Sequence, residues 1–166
     1  MARRSSHQIM KIAFHEAGHA IALVVQGQVV NRASIVPEKG SLGRVWHPSV
    51  YHYFVGTARE QRAIARELIL VSYAGWAAEV RFDPTAEELG NDSDNEAAFD
   101  LSRDYGLFPR RIEFVGDDYH HEYLDRLRKE SARLIRKHWQ AVVRVGEELY
   151  KRKRLAGDVV EKMVNG

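Results

Sequence analysis

The sequence predicts a single, mainly α-helical domain with one small β-hairpin beside its first long helix. Apolar residues recur three and four positions apart over several long stretches, the pattern of helices that bury one face. Extended, strand-like sequence is confined to residues 29–46, a stretch that Pro37 interrupts and that ends before Pro48. With 166 residues, 45% of them hydrophobic and 29% charged, the chain is long enough for one real core. No internal repeat, low-complexity segment or composition break marks a second domain, so residues 1–166 are read as one unit.

The first helix is expected to begin at Ser5 or Ser6, either of which can cap it, and to run to about Gln26, where Gly27 supplies the stop. Ile9, Ile12, Ala13, Ala17, Ala20, Ile21, Val24 and Val25 make most of it apolar. Residues 29–36 read as a strand closed by Pro37, and residues 42–46 as its partner, joined by the turn Glu38-Lys39-Gly40-Ser41. Gly43 removes a side chain where another backbone is expected to come close. Thr57 opens a second long helix ending near Phe82, before Pro84. Its run Ala74-Gly75-Trp76-Ala77-Ala78 is small enough for another helix to pack tightly against it. After an acidic loop over residues 84–91, Asp92 can cap a third helix that reaches Tyr105-Gly106. Beyond Pro109 and a polar, aromatic loop, the apolar spacing from Tyr123 to Leu149 predicts one long helix or a bent pair. Gly157 and Asp158 introduce a short final helix over residues 159–164.

Several function classes are excluded or disfavoured. There is no cysteine, so disulfides and thiolate ligands are ruled out and any metal must be held by His and carboxylates. The longest apolar run, Ala20 to Val25, falls far short of the ~18–20 residues needed to span a bilayer. The opening Met-Ala-Arg-Arg-Ser-Ser has no signal-peptide core behind it, and a soluble, cytoplasmic protein is expected. Net charge is only +2, yet residues 79–104 are strongly acidic and residues 125–154 strongly basic, ending in the run Lys151 to Arg154. A basic helical stretch is more often a solvated face than a nucleic-acid footprint, and no binding motif accompanies it, so nucleic acid is not expected as a partner.

The chemistry concentrates in His15-Glu16-Ala17-Gly18-His19, which reads H-E-x-x-H. Residues four apart share one helix face, so His15 and His19 can point two imidazole nitrogens at one cation, with Glu16 beside them as a base for a bound water. The composition would produce this pattern by chance about 0.03 times in such a chain. Two histidines and a glutamate on an otherwise apolar helix would also be costly to bury without a partner. Zn2+ is the expected cofactor, since it takes about four ligands and a catalytic site keeps one position for water. A third protein ligand is needed. The extended pattern that would place Gly and His further along the same helix fails, because Ala22 and Val25 occupy those positions. Glu79 on the second helix and an Asp at the start of the third are the candidates.

His15 to Ala20, read with three other segments, resembles the peptidase domain of FtsH, the ATP-dependent zinc metalloprotease family, over almost the whole chain. Ile35-Val36-Pro37 followed by Ser41-Leu42-Gly43 is similar to that family's hairpin. Tyr73-Ala74-Gly75-Trp76-Ala77-Ala78-Glu79 resembles its L-x-G-G-R-A-A-E segment, and Gly90-Asn91-Asp92-Ser93-Asp94 with Ala98 and Arg103 keeps the register of G-A-S-N-D-L-x-x-A-T-x-x-A-R. Even Arg154 to Asp158 resembles the family's last helical turn. The resemblance implies an FtsH-peptidase-like helical fold, zinc ligands His15, His19 and Asp94, and Glu16 as catalytic base. Asp92, the competing carboxylate, becomes the helix cap. Apart from the resemblance, Glu79 is read either as a partner that orients a ligand histidine or as a surface or helix-packing acid.

The departures are Trp76 in place of Arg, Gly90-Asn91-Asp92 in place of Gly-Ala-Ser, and Phe99 in place of Thr. The few residues before the motif helix can form neither the family's ATPase module nor its membrane segments, so a stand-alone peptidase domain is expected. The expected function is an endopeptidase cutting unfolded or flexible polypeptide, with substrate lying extended along the strand around Gly43 and Val45. An ATPase acting in trans and a second copy of the chain are further candidate partners. The alternative is a zinc-holding binding or adaptor module whose protease activity is lost or latent. The intact Glu16 argues against it, because a purely structural zinc needs no base beside it.

Overall fold

Both long N-terminal helices begin where the sequence caps them. The computed structural model describes residues 4–38, 41–48, 56–86, 92–107 and 118–166, and these are mainly helical with a small three-stranded antiparallel sheet. Helix α1 (Ser6–Val25) starts with a reciprocal capping box, in which the Ser5 hydroxyl accepts from the Gln8 amide and the Gln8 side chain accepts from the Ser5 amide. Helix α2 (Ala58–Phe82) repeats the device with Thr57 and Glu60. Such a cap contributes about 1 kcal/mol by satisfying amides that have no partner within the helix. Gly27, at φ +75°, supports the turn after α1, and α2 gives way at Asp83 before Pro84.

Helix α3 (Asp92–Asp104) follows, then the bent pair α4 (Asp118–Lys137) and α5 (Trp139–Arg152), broken at His138 where the backbone departs from helical angles. The expected turn residues Lys39 and Gly40, residues 87–91, Pro109 with the loop after it, and the side chain of Asp92 lie outside the described residues.

The strands differ most from expectation. They are shorter, β1 (Arg32–Ser34) and β2 (Arg44–Trp46); at the end of β1 the Ser34 hydroxyl accepts from the Val36 amide at 3.0 Å and turns the chain early. A third strand, β3 (Arg154–Ala156), pairs with the other side of β1, so the order is β2-β1-β3. The expected helical turn over residues 154–158 is thus corrected. Lys153, at φ 68°, ends α5 in the left-handed conformation, and the next three residues extend along β1 before α6 (Gly157–Asn165) begins.

Helix α1 runs through the core. Ala13, Ala17, Ala20, Ile21, Ala22 and Leu23 are wholly buried, and α1 packs chiefly against α2 and α5. Phe14, the residue before the first motif histidine, stacks on Phe82 with ring centroids 4.2 Å apart and meets Trp139 at 5.6 Å. The turn of α1 that carries the motif is therefore fixed by aromatic packing. A second apolar cluster, in which Ile69, Leu70 and Tyr73 of α2 meet Ala98, Leu124 and Leu127, fastens α3 and α4 to the opposite side of α2. The buried Ser131 hydroxyl donates to the Leu70 carbonyl at 2.7 Å and joins α4 to α2. No helix among the described residues is long and apolar enough to cross a membrane.

The small-residue run on α2 does admit a close neighbour. A Cβ added at Gly18 would fall inside contact distance of the Ala74 carbonyl oxygen and 2.8 Å from the Ala78 Cβ. Backbone on the facing helix cannot move aside cheaply. Gly18→Ala should therefore lower the urea midpoint, because overpacking of about 1–3 kcal/mol outweighs a helix-propensity gain of at most ~1 kcal/mol. A midpoint at or above that of the wild type would show that the two helices can separate freely.

Candidate metal centre

Three ligand-type atoms from two helices converge at the bottom of a cleft of about 740 Å³. His15 and His19 lie one turn apart on α1, and their Nε2 atoms are 3.0 Å from each other. Asp94, in the first turn of α3, places Oδ2 3.2 Å from His15 Nε2 and 3.4 Å from His19 Nε2. This group could hold a metal ion. Of the two third-ligand candidates, the carboxylate beside both Nε2 atoms is Asp94, whereas Glu79 approaches His15 from the opposite side of its ring.

The far side of each ring is also engaged. His19 Nδ1 lies 2.8 Å from the Val71 carbonyl oxygen, which can only accept, so Nδ1 carries the hydrogen. His15 Nδ1 lies 3.1 Å from Glu79 Oε2. Burial would raise the pKa of Glu79, but the hydrogen bond from His15 and the nearby Lys11 ammonium, 3.4 Å away, lower it, so Glu79 is a charged acceptor. Both rings in their neutral form then present unprotonated Nε2 lone pairs to the same point, as metal-ligating histidines do. Lys11 also lies 3.7 Å from Asp83, which in turn meets His7 at 2.9 Å, so charged side chains continue from Glu79 to the surface.

The electrostatics of the group favour positive charge at its centre. Burial would lower the pKa of His15, but hydrogen bonds to Asp94 and Glu79 outweigh it and push it up to about 10. His19 is raised too, where burial is outweighed by the charge of Asp94. For Asp94 burial acts upward, but the two histidines hold its carboxyl well below the usual range. Glu16 behaves differently. It is 6% exposed, and desolvation raises its pKa above the ordinary glutamate value.

Glu16 is seated by Gly43. A Cβ added at Gly43 would stand 2.6 Å from Glu16 Oε1 and 2.7 Å from its Cγ, so this glycine makes room for the carboxylate side chain. The expectation that it admits another backbone is corrected accordingly. Val45, two residues on, pairs with Ala33 across the sheet and also lines the cleft. His15, Glu16, His19, Gly43, Val45, Glu79 and Asp94 thus all border one cleft.

Gly75, Lys11 and Arg44 join the site without a motif that marks them for it. A Cβ at Gly75 would stand 2.6 Å from His19 Cε1 and 2.7 Å from His15 Nε2, so the glycine clears space for the rings as well as for helix packing. Lys11 lies one turn before His15 on the same face, a spacing that could have flagged it. In comparisons with known proteins, no family model and no curated protein matches this chain.

Proposed function

We propose that this chain is a zinc-dependent endopeptidase of the FtsH-peptidase type, acting on unfolded or flexible polypeptide. The reading rests above all on one observation, the convergence of His15 Nε2, His19 Nε2 and Asp94 Oδ2 beside the buried carboxylate of Glu16. The separations of 3.0, 3.2 and 3.4 Å suit it. Ligands at about 2.0–2.1 Å from a tetrahedral ion lie roughly 3.3 Å apart. The donor set of two imidazoles and one carboxylate fits zinc and leaves a fourth position open.

The chemistry that zinc supplies in such a site is Lewis acidity, which brings the pKa of water from ~15.7 toward ~7 and polarises a carbonyl oxygen. The chain's own residues do the rest. Glu79 and the Val71 carbonyl hold the ligand rings by Nδ1, fixing tautomer and orientation. Glu16, with proton affinity raised by burial, takes a proton from the attacking water on its carboxylate and later delivers it to the leaving amine nitrogen. Among the described residues strand β2 is an edge of the sheet, and Arg44 and Val45 line the cleft, so an extended substrate can add to it as a further strand.

The purified chain should carry stoichiometric zinc and degrade casein. Chelation should stop degradation, and added zinc should restore it. Full activity in metal-stripped protein would refute the proposal, and so would zinc-loaded protein that leaves casein intact, an outcome that favours the adaptor reading.

A further inference from the structure

Among the described residues, three cationic side chains, Arg4, Lys11 and Arg44, and three carboxylates, Glu16, Glu79 and Asp94, line the cleft. Each acidic group on its lining is already engaged or buried: Asp94 with both histidines, Glu79 with His15 and Lys11, and Glu16 beneath Gly43. Lys11 is paired with Glu79 and Asp83. Arg44 is exposed and lines the cleft; among the described residues it forms no salt bridge, and its charge acts only at longer range on the buried Glu16, whose pKa it lowers. Its position on edge strand β2 is next to Gly43, the residue that touches Glu16. Its guanidinium carbon stands 5.9 Å from the centroid of the Trp46 ring, whose closer companion is Arg32 at 3.9 Å. The contact with Trp46 steadies the arginine but uses none of its five N–H donors in hydrogen bonding.

Resting on the peptidase reading above, we propose that the cleft selects peptides that bring a carboxylate to Arg44, which makes Arg44 its specificity-determining residue. A guanidinium fork matches a carboxylate with two parallel hydrogen bonds, which a solvated lysine would not reproduce. A peptide extended along β2 advances about 3.3 Å per residue. A carboxylate held at Arg44 therefore belongs within a residue or two of the bond facing Glu16. It is supplied by an Asp or Glu side chain in an endopeptidase substrate; were it the chain-terminal carboxylate instead, cleavage would be that of a carboxypeptidase.

Matched peptides separate these sources. One end-blocked pair differs only as Glu against Gln, and a second pair with neutral side chains differs only in a free against an amidated C-terminus. Binding is read by fluorescence anisotropy on zinc-loaded Glu16→Gln protein, and kcat/KM on protein with Glu16 intact. The acidic member of at least one pair should be favoured about fivefold at low salt, less at high salt. Arg44→Ala should bring that ratio close to unity, and Arg44→Lys should leave it in between. The pair that responds names the source.

Equal affinity and equal kcat/KM within both pairs would overturn the carboxylate proposal while leaving the peptidase intact, as would a ratio unaltered in Arg44→Ala. Preferential binding of the acidic peptide without cleavage of any peptide would keep the recognition and sink the peptidase reading. Neither binding nor cleavage would sink both.

Discussion

In the proposed zinc peptidase, replacing Glu16 by Gln should lower kcat/KM for peptide hydrolysis by ~10²–10⁴-fold, the usual contribution of a positioned general base, while zinc binding is retained. Gln has nearly the same shape, so it can occupy the space that Gly43 leaves for the glutamate. What it lacks is a carboxylate able to take a proton. Glu16 lies beside the ligand histidines but does not belong to the group formed by His15, His19 and Asp94, so losing its charge should leave the ligand set intact. Nor should folding suffer, because the native carboxylate is 6% exposed and its burial disfavours the charged form. Steady-state kinetics and zinc content on the same preparation decide the matter. Undiminished turnover would move the base elsewhere, and loss of zinc would make Glu16 a ligand.

The helices of this fold were legible because their signals are local. Ser5 with Gln8 and Thr57 with Glu60 are three residues apart, and each pair forms the capping box that its spacing permits. The motif histidines are similarly local, one turn apart on a helix whose remaining residues demand burial. Strand β3 carried no such signal. It is three residues long, only Leu155 of the three is buried, and a period of two needs more residues to show itself. What creates the strand is the free side of β1, together with a left-handed turn at Lys153, where a glycine would have been the recognisable mark.

The site divides along the same line. Spacing alone left Glu79 and an Asp of the third helix as rival ligands, because the distance from His15 to either is set by how α1, α2 and α3 pack. The resemblance to FtsH peptidases singled out Asp94, and Asp94 is the carboxylate that meets both Nε2 atoms. Glu79 meets Nδ1 of His15. Both candidates belong to the centre, on opposite sides of one ring. Gly43 shows the limit of reading a missing side chain in isolation: sequence can say that something approaches, but the approaching group comes from a residue twenty-seven positions earlier.

Gly75→Ala should have a large effect from one methyl group. In an ordinary helix interior this change gains up to ~1 kcal/mol of propensity, which offsets part of the cost of crowding two side chains that can move, so the protein should still fold. Beside the His15–His19–Asp94 group the new Cβ would stand 2.6 Å from His19 Cε1 and 2.7 Å from His15 Nε2, and closer still to His19 Nε2. The rings are free to swing away only by breaking the bonds that orient them, His15 to Glu79 and His19 to the Val71 carbonyl. Either response removes the convergence of lone pairs on which binding depends. Zinc affinity, measured by competition with a chelating dye, should fall by more than the ~10–100-fold that losing a single outer-shell partner costs, and casein degradation should fall with it. A variant that binds zinc as tightly as the wild type would mean that the two imidazoles can regroup around a displaced centre, and the ligand geometry argued here for His15 and His19 would have to be abandoned.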